Sequence, residues 1–465
     1  MTRLVWLRAD LRTHDNPALT QAMASSEDVI AVAGIAEETF ARHHRSDIQR
    51  RLINNRLHHL AGELAQLRVP LRRLSASTFD GQVDELLALA KQWNITSIHL
   101  NAQYEWDETR RDENLSHTST IPVRIYHDQC AVEPGTLKTG QGNFYSVFTP
   151  YKKRWLAQLR HQPPSPLPQP SPKSSLLCAP SEWPLDREIE SLWPSSTGDI
   201  SNDLAAWLPK VDQYDDTRNL PAIAGTSQLS HWLAIGALSP REILAQLAMS
   251  SPEVWSDTGG IGTYVSEICW RDFYRNLMVE VPRISRDQPF KQATHSLPWN
   301  PDLKAFERWK QGQTGIPIVD AAMRQLNTTG WMHNRCRMIV AMFLTKNLFI
   351  NWRWGEDYFM SRLIDGDLAS NNGGWQWSAS TGTDSAPYFR IMNPVSQSQK
   401  FDPQGDYIRR WVPELAHLDA KAIHEPFAKG PKANIDYPTP MVDLKASRQR
   451  AIDTFKRHAQ ESDAS

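Results

Sequence analysis

The sequence predicts an α/β N-terminal domain with a Rossmann-like parallel sheet, followed by an all-α C-terminal domain. Three observations carry this. From Leu4 to about Asp128, short apolar runs alternate with helix-like stretches, the pattern of buried parallel strands joined by right-handed helical crossovers. Proline then crowds residues 161–200. Beyond residue 201 strand-type alternation vanishes, and apolar side chains recur at three and four positions, the helical period.

Taken in order, LVWL, VIAVAGI, PLRRL, SIHL and VRIY read as five buried strands. Segments near 46–67 and 81–92 carry Leu, Ile and Ala at helical spacing. No GxGxxG follows the first strand, so the Rossmann label describes shape only. HQPPSPLPQPSPKSS and SEWPLDREIESLWPSSTG cannot sustain helix or sheet interior. We read them as a long ordered or semi-ordered linker; disorder competes, and Trp183 and Trp193 favour docking. SPREILAQLA, PIVDAAMRQL and CRMIVAMFLTKNLF are helical, and Ser239-Pro240 supplies a cap with proline at the first helical position. The expected division is residues 1–130, a linker 131–200, and 201–465.

At 465 residues the chain exceeds one hydrophobic core. Its 40% hydrophobic and 22% charged content is that of an ordinary globular protein, which excludes wholesale disorder. No run of eighteen apolar residues exists, so a membrane span is excluded. Arg8 and Asp10 interrupt any signal-peptide core, which makes the cytoplasm the expected location. Cys130, Cys178, Cys269 and Cys336 are too scattered for zinc or a disulfide framework. A net charge of −1, from 51 basic and 52 acidic side chains, argues against bulk attraction to a polyanion. The balance is local, however: Arg324, Arg335, Arg337, Lys346 and Arg353 occur with no acid between residues 321 and 355. A helix with solvated cations explains this equally well.

Chemistry concentrates between Tyr214 and Gln397. In GTSQLS, the hydroxyls of Thr226, Ser227 and Ser230 suit either a phosphate at a helix start or a plain N-cap. IDGDLASNNGGWQWSASTGTDSAPYFR packs Asp365, Asp367, two Asn, glycines and two Trp into a stretch that reads as unable to bury a normal core. Backbone there is expected close to a large heterocycle whose ring atoms Asp and Asn would satisfy; an irregular loop with Asx turns is the alternative. A metal on Asp365 and Asp367 lacks a third ligand, so none is expected. In WMHNRCRMIVAMFL, Arg335 and Arg337 lie two apart and point to different helix faces. An inward Arg needs an anion, for which Asp365 is a candidate. His333 reads as structural or catalytic.

RADLRTHDN, GTSQLS, WRDFYR, GWMHNRCRM and DGDLASNNGGWQWSASTGTD together resemble the photolyase/cryptochrome family, most of all the bacterial class I cyclobutane pyrimidine dimer photolyases. The likeness runs from Leu4 to Asp443. It implies an FAD-binding helical domain, an antenna chromophore near the α/β domain, and light-dependent dimer splitting in single- or double-stranded DNA by a monomeric lyase. Tyr214, Thr226, Ser227, Gln228, Leu229, Ser230, Arg337, Asp365, Gly366, Asp367 and Asn371 match the flavin pattern, with Arg337 paired to Asp365 and Asn371 near the flavin N5. Glu267, Asn334 and Met338 match residues touching the damaged bases, and they join Asn371 as catalytic candidates. Trp270 and Trp377 match aromatic walls, while Arg218, Arg271, Tyr274, Arg335 and Gln397 match DNA contacts. Trp299, Trp352 and Trp375 match an electron relay.

Departures matter at the antenna site. Glu108 matches, but Asp107 stands where Asn is commoner, and Ser285-Arg286 replaces a Cys-Lys pair. Methenyltetrahydrofolate is the expected antenna, with deazaflavin or a second flavin as alternatives. Tyr264 stands where a Trp contacts the flavin. A (6-4) photolyase is expected to carry His at both Asn334 and Met338, and a DASH-type cryptochrome differs around Arg335–Met338. The alternative function is a blue-light cryptochrome photoreceptor without repair, for which a long C-terminal extension is expected.

Overall fold

The computed structural model describes residues 1–174, 179–256, 258–428, 430 and 435–463; Cys178 and the middle of the proline-rich segment lie outside them. By packing, the chain divides into two compact units. Unit 1 holds Met1–Asp212, Ser227–Pro282 and Ile364–Ala369; unit 2 holds Gln213–Thr226, Arg283–Leu363 and Ser370–Ser465. This differs from the division by sequence texture at residue 200, and the reason is a buried carboxylate. In unit 1, Asp272 on the Gly259–Glu280 helix accepts hydrogen bonds from Ala131 N (2.9 Å), Val132 N (3.0 Å) and Trp155 Nε1 (2.9 Å). A helical segment from the second half of the chain thereby packs on the first half.

Unit 1 contains a five-stranded parallel sheet: β1 (Thr2–Trp6), β2 (Asp28–Ala33), β3 (Leu71–Arg73), β4 (Ile95–Asn101) and β5 (Val123–Tyr126), in the order β3-β2-β1-β4-β5. All five fall on the apolar runs of the sequence. Leu4 pairs in register with Ile30 and Ile98, and Leu4, Trp6, Val32, Ile98 and Leu100 form the core above the sheet. The intervening helices begin as their residues dictate. Asn16, Ser46 and Thr78 accept from backbone N–H groups to cap Pro17–Met23, Asp47–Gln66 and Phe79–Gln92, each cap worth about 1 kcal/mol. Ser239 caps Pro240–Ser250 with Pro240 at its first position. From that helix Arg241 reaches Asp15 (2.9 Å) and Asp128 (2.7 Å), and Arg12 pairs with the same Asp128. The described part of the proline-rich segment is ordered: Lys173 N bonds Leu67 O, Ser181 N bonds Leu71 O, and Trp183 is buried beneath Arg73.

The regular elements among the described residues of unit 2 are all helices, around a core that includes Trp309, Met323, Val340, Leu344, Trp352, Phe359 and Trp375. The segment read as unable to bury a normal core contains a helix, Leu368–Ala379, and its Trp375 and Ala379 belong to this core. Side-chain amides compensate for the weak propensity of its Asn and Gly residues. Asn371 Nδ2 donates to Glu356 O (3.0 Å), Asn372 Nδ2 to Glu356 Oε1 (2.8 Å), and Gln376 Nε2 to Asn372 Oδ1 (2.8 Å). Lys346 is fully buried; its ammonium donates to Ala379 O (3.0 Å) and Ser380 Oγ (2.8 Å) and lies over Phe455. No described helix is long and apolar enough to cross a membrane.

Candidate functional site

Of the TSQLS residues Thr226 falls in unit 2 and Ser227–Ser230 in unit 1, and none of their hydroxyls caps the helix that follows. The Ser230–Ala234 helix starts at Leu229 with no side-chain cap, because Gln228 takes a left-handed conformation (φ 52°) that turns the segment out of capping geometry. Ser227 Oγ accepts weakly from Leu229 N (3.4 Å) and meets the buried Tyr264 hydroxyl, so Tyr264 serves this segment although it is not the expected Trp. A second element is the Ile364–Ala369 strip. Gln49 Nε2 clamps it by donating to Ile364 O (3.2 Å) and Gly366 O (2.8 Å), which leaves Asp365 buried and Asp367 paired with Arg275. Burial would lower the Arg275 pKa, but Asp367 and its neighbours more than offset this and raise it.

One buried group here has an unspent hydrogen bond. Among the described residues Arg275 Nη1 meets no hydrogen-bond partner, while the buried His231 ring meets the backbone of Gln228. Burial depresses the His231 pKa to about 4, against the pull of Asp365, so the ring is neutral. Unpartnered buried donors are costly unless a ligand completes them. Donors beside two carboxylates and a hydroxyl-rich turn fit a large, polar, partly anionic group such as a flavin dinucleotide.

The Gly259–Glu280 helix carries Glu267, Trp270, Arg271 and Tyr274. Their i, i+3, i+4, i+7 spacing puts all four on one face. Trp270 is half-buried, tilted against Tyr274 at 5.4 Å. Arg271 is directed inward, donating to the carbonyls of Gln129 and Leu233, and burial together with Arg275 lowers its pKa. At the antenna candidates, Asp107 is exposed and Glu108 buried on one helix. His43 bonds Asp107 at 2.8 Å and approaches Glu108 at 3.8 Å. Burial, reinforced by Glu108, raises the pKa of neighbouring Glu105.

In unit 2 the Asn334–Met342 helix holds Asn334, Arg335, Arg337 and Met338. Asn334 and Met338 lie one turn apart on one face. Arg335 binds Asn219 Oδ1 through Nη2 (2.6 Å) and Nε (3.2 Å) and stacks over Phe401, whereas Arg337 Nε donates to Met332 O (2.8 Å). The two arginines do point apart. Arg337 belongs to unit 2 and Asp365 to unit 1. His333 is a cap: its Nδ1 accepts from Arg335 N at 3.1 Å, which places the ring proton on Nε2. Burial, with Arg337, Arg335 and Arg218, lowers its pKa to about 4. Arg218 lies over the buried Tyr214 ring. Thr226 is half-buried, Trp377 is half-buried near the end of its helix, and Gln397 lies on the Pro394–Phe401 helix.

Asn371 spends its amide nitrogen on Glu356 O, so its oxygen is the half left for a ligand N–H. Trp375 and Trp352 lie within the core at 2% and 3% exposure, and Trp299 packs at its margin. The three thus run from buried to accessible. Sequence reasoning missed Arg275, Glu356 and Phe148. Arg275 stands in the quoted WRDFYR motif, but its pairing with Asp367 is a tertiary contact. Glu356 is fully buried, and that burial raises its pKa to about 8; only the end of the acid-free stretch at this residue hinted at it.

Residues 3–171 match the DNA photolyase family, and residues 264–457 match the FAD binding domain of DNA photolyase. The deoxyribodipyrimidine photo-lyase of Vibrio cholerae is 43% identical over 98% of this chain and 99% of its own length. That of Escherichia coli is 41% identical over 98% of both. The crystal structure of a class III photolyase from Agrobacterium tumefaciens superposes with a TM-score of 0.85 at 31% identity, covering 99% of this chain and 98% of that one. Likeness of this extent in sequence and in fold leaves one conclusion: the chain belongs to the DNA photolyase family.

Proposed function

We propose that this protein uses light to split cyclobutane pyrimidine dimers in DNA. What carries the reading is that Glu267, Trp270, Arg271 and Tyr274 share one helix face in a chain alignable over 98% of its length with relatives named deoxyribodipyrimidine photo-lyase. When bound and reduced, FAD would supply light-driven one-electron donation to the dimer, with no net redox change over the reaction. Tyr214, Thr226–Ser230, Arg337, Asp365, Gly366, Asp367 and Asn371 would hold it, with the Arg337 guanidinium offsetting the cost of buried negative charge.

The remaining work falls to the chain's own side chains. Trp270 and Trp377 wall the flipped bases, and a damaged pair costs least to unstack. Glu267 donates or shares a proton at a pyrimidine carbonyl, Met338 offers an adaptable apolar contact, and Asn334 adds a polar one. Arg218, Arg335 and Gln397 meet the phosphate backbone, which makes binding independent of sequence; Arg271 and Tyr274 support the same surface. Trp299, Trp352 and Trp375 carry electrons in short steps, since indole can be oxidised to a radical. Asp107 and Glu108 hold the antenna, most simply methenyltetrahydrofolate, with deazaflavin or a second flavin distinguished by the absorption spectrum. The protein works as a cytoplasmic monomer, nucleoid-associated when on DNA.

The test is light-dependent restoration of dimer-containing oligonucleotides by the purified flavoprotein. Blue light should restore pyrimidines that darkness does not. Binding of such DNA without restoration would leave the photoreceptor reading.

A further inference from the structure

We infer that Phe148 is a positioning residue for lesion binding: its ring covers one face of the Trp270 indole and so fixes the face that this indole offers to a flipped pyrimidine. The inference rests on the reading of Trp270 as an aromatic wall.

Phe148 opens the Phe148–His161 helix. Its ring and the Trp270 indole are stacked with 6° between planes and 3.5 Å between centroids, closer than the roughly 4.5–7 Å of most aromatic pairs. An indole has two faces. With Phe148 flat against one, a second ring can stack only on the other. Phe148 is buried at 8% exposure, while Trp270 is half-buried, so the indole rather than its backing ring is the accessible member of the pair.

Neighbouring rings hold this arrangement in place. Phe273 meets Phe148 edge-on at 5.7 Å and Trp270 edge-on at 5.6 Å, and Tyr151 packs behind Phe273 at 5.1 Å. Tyr274 flanks the indole on the next helical turn. The two helices that carry the stacked rings are joined by Trp155 Nε1 donating to Asp272, which fixes the spacing of the backbones from which both rings project. A wall residue already immobilised loses little rotamer freedom when a base stacks on it, and binding is correspondingly tighter. An apolar side chain of similar volume would fill the same space, but only a planar ring restrains the indole's tilt.

The experiment measures, in the dark and with the flavin-loaded protein, the affinity for one dimer-containing oligonucleotide and for the same undamaged sequence. The variants are Phe148→Leu, Phe148→Met, Phe148→Tyr and Trp270→Ala. Both ringless variants should bind the dimer roughly 3- to 10-fold more weakly, with undamaged binding unchanged, so that discrimination itself falls; Phe148→Tyr should restore it. Loss of discrimination is a readout that a merely structural role would not move. Wild-type discrimination in either ringless variant, while Trp270→Ala weakens dimer binding, overturns the proposal. Loss of flavin or of the folded state in both also overturns it, because the ring then serves the fold rather than the site. Unchanged dimer binding in Trp270→Ala defeats instead the reading of Trp270 on which the inference stands.

Discussion

Trp270 in unit 1 and Trp375 in unit 2 are the same side chain put to opposite uses by packing. Trp270 is half-buried, with one face closed by Phe148. Trp375 is 2% exposed, meets Phe359 edge-on at 5.0 Å and Trp309 at 6.1 Å, and has Gly355 directly beneath it. The first indole keeps part of its surface accessible. The second keeps none, and can only pack or pass an electron to a neighbour. An aromatic residue therefore declares its role through the faces its neighbours leave open, and composition, here 18 Trp, cannot distinguish them.

The enclosure of Trp375 predicts the largest effect. A Cβ on Gly355 would lie 2.1 Å from the indole ring, so Gly355→Ala forces the ring or the helix to move and should cost about 3 kcal/mol or more, read as a lowered melting temperature. An unaltered melting temperature would mean that the seat of Trp375 is looser than its burial implies.

Next comes Glu356, which ties the helix of Trp375 in place through Asn371 and Asn372. Its pKa of about 8 in the folded protein exceeds the ordinary value near 4.3. Between those two pH values the unfolded chain has released the proton while the folded one keeps it, so stability falls as pH rises through that window. Glu356→Gln removes this loss, and the variant should gain about 3 kcal/mol more over wild type at pH 8 than at pH 5. Equal gains at both pH values, measured by denaturant unfolding, would show that the carboxyl ionises normally.

The open side of the comparison is tested by Trp270→Ala. It should weaken dimer binding by about 2 kcal/mol, as a stacked anchor does, and lower the melting temperature less than Gly355→Ala does. A large stability loss instead would place Trp270 with Trp375 as a packed indole.

The smallest effect is expected at Arg335, whose guanidinium is held by Asn219 and Phe401. Arg335→Ala should lower the slope of log affinity against log salt by about 1, equally for any sequence. With a net charge of −1, binding to undamaged duplex should be modest and only gently salt-dependent from the outset. A steep slope there would show that bulk charge, rather than a local basic rim, does the recognising.

The three central strands were legible because a parallel strand buried on both faces is nearly apolar throughout, a pattern that depends on no distant contact; the edge strands β3 (LRR) and β5 (VRIY) carry exposed arginines and are less buried than their apolar neighbours suggested. Ser239-Pro240 was legible for the same local reason. The GTSQLS hydroxyls were not: whether they cap a helix depends on the backbone at Gln228, and that residue turns left-handed. Nor was the Leu368–Ala379 helix, since Asn and Gly disfavour helix until Glu356, far away in neither space nor function but sixteen positions earlier than Asn372, accepts their amide protons. At the site, the motifs named Arg337, Asp365 and Asp367, but the partner of Asp367 is Arg275, ninety-two residues distant.

What the sequence determined by itself was the order of strand and helix, the helix start at Ser239, and the family motifs, because each of these is set by neighbours within a turn or a strand. Only the tertiary structure decided where the compact units divide, which indole is sealed and which stays accessible, and that Glu356 holds its proton. Those outcomes depend on desolvation and ring contacts among residues brought together by folding, and a linear pattern of residue types does not encode which side of a ring its neighbours will cover.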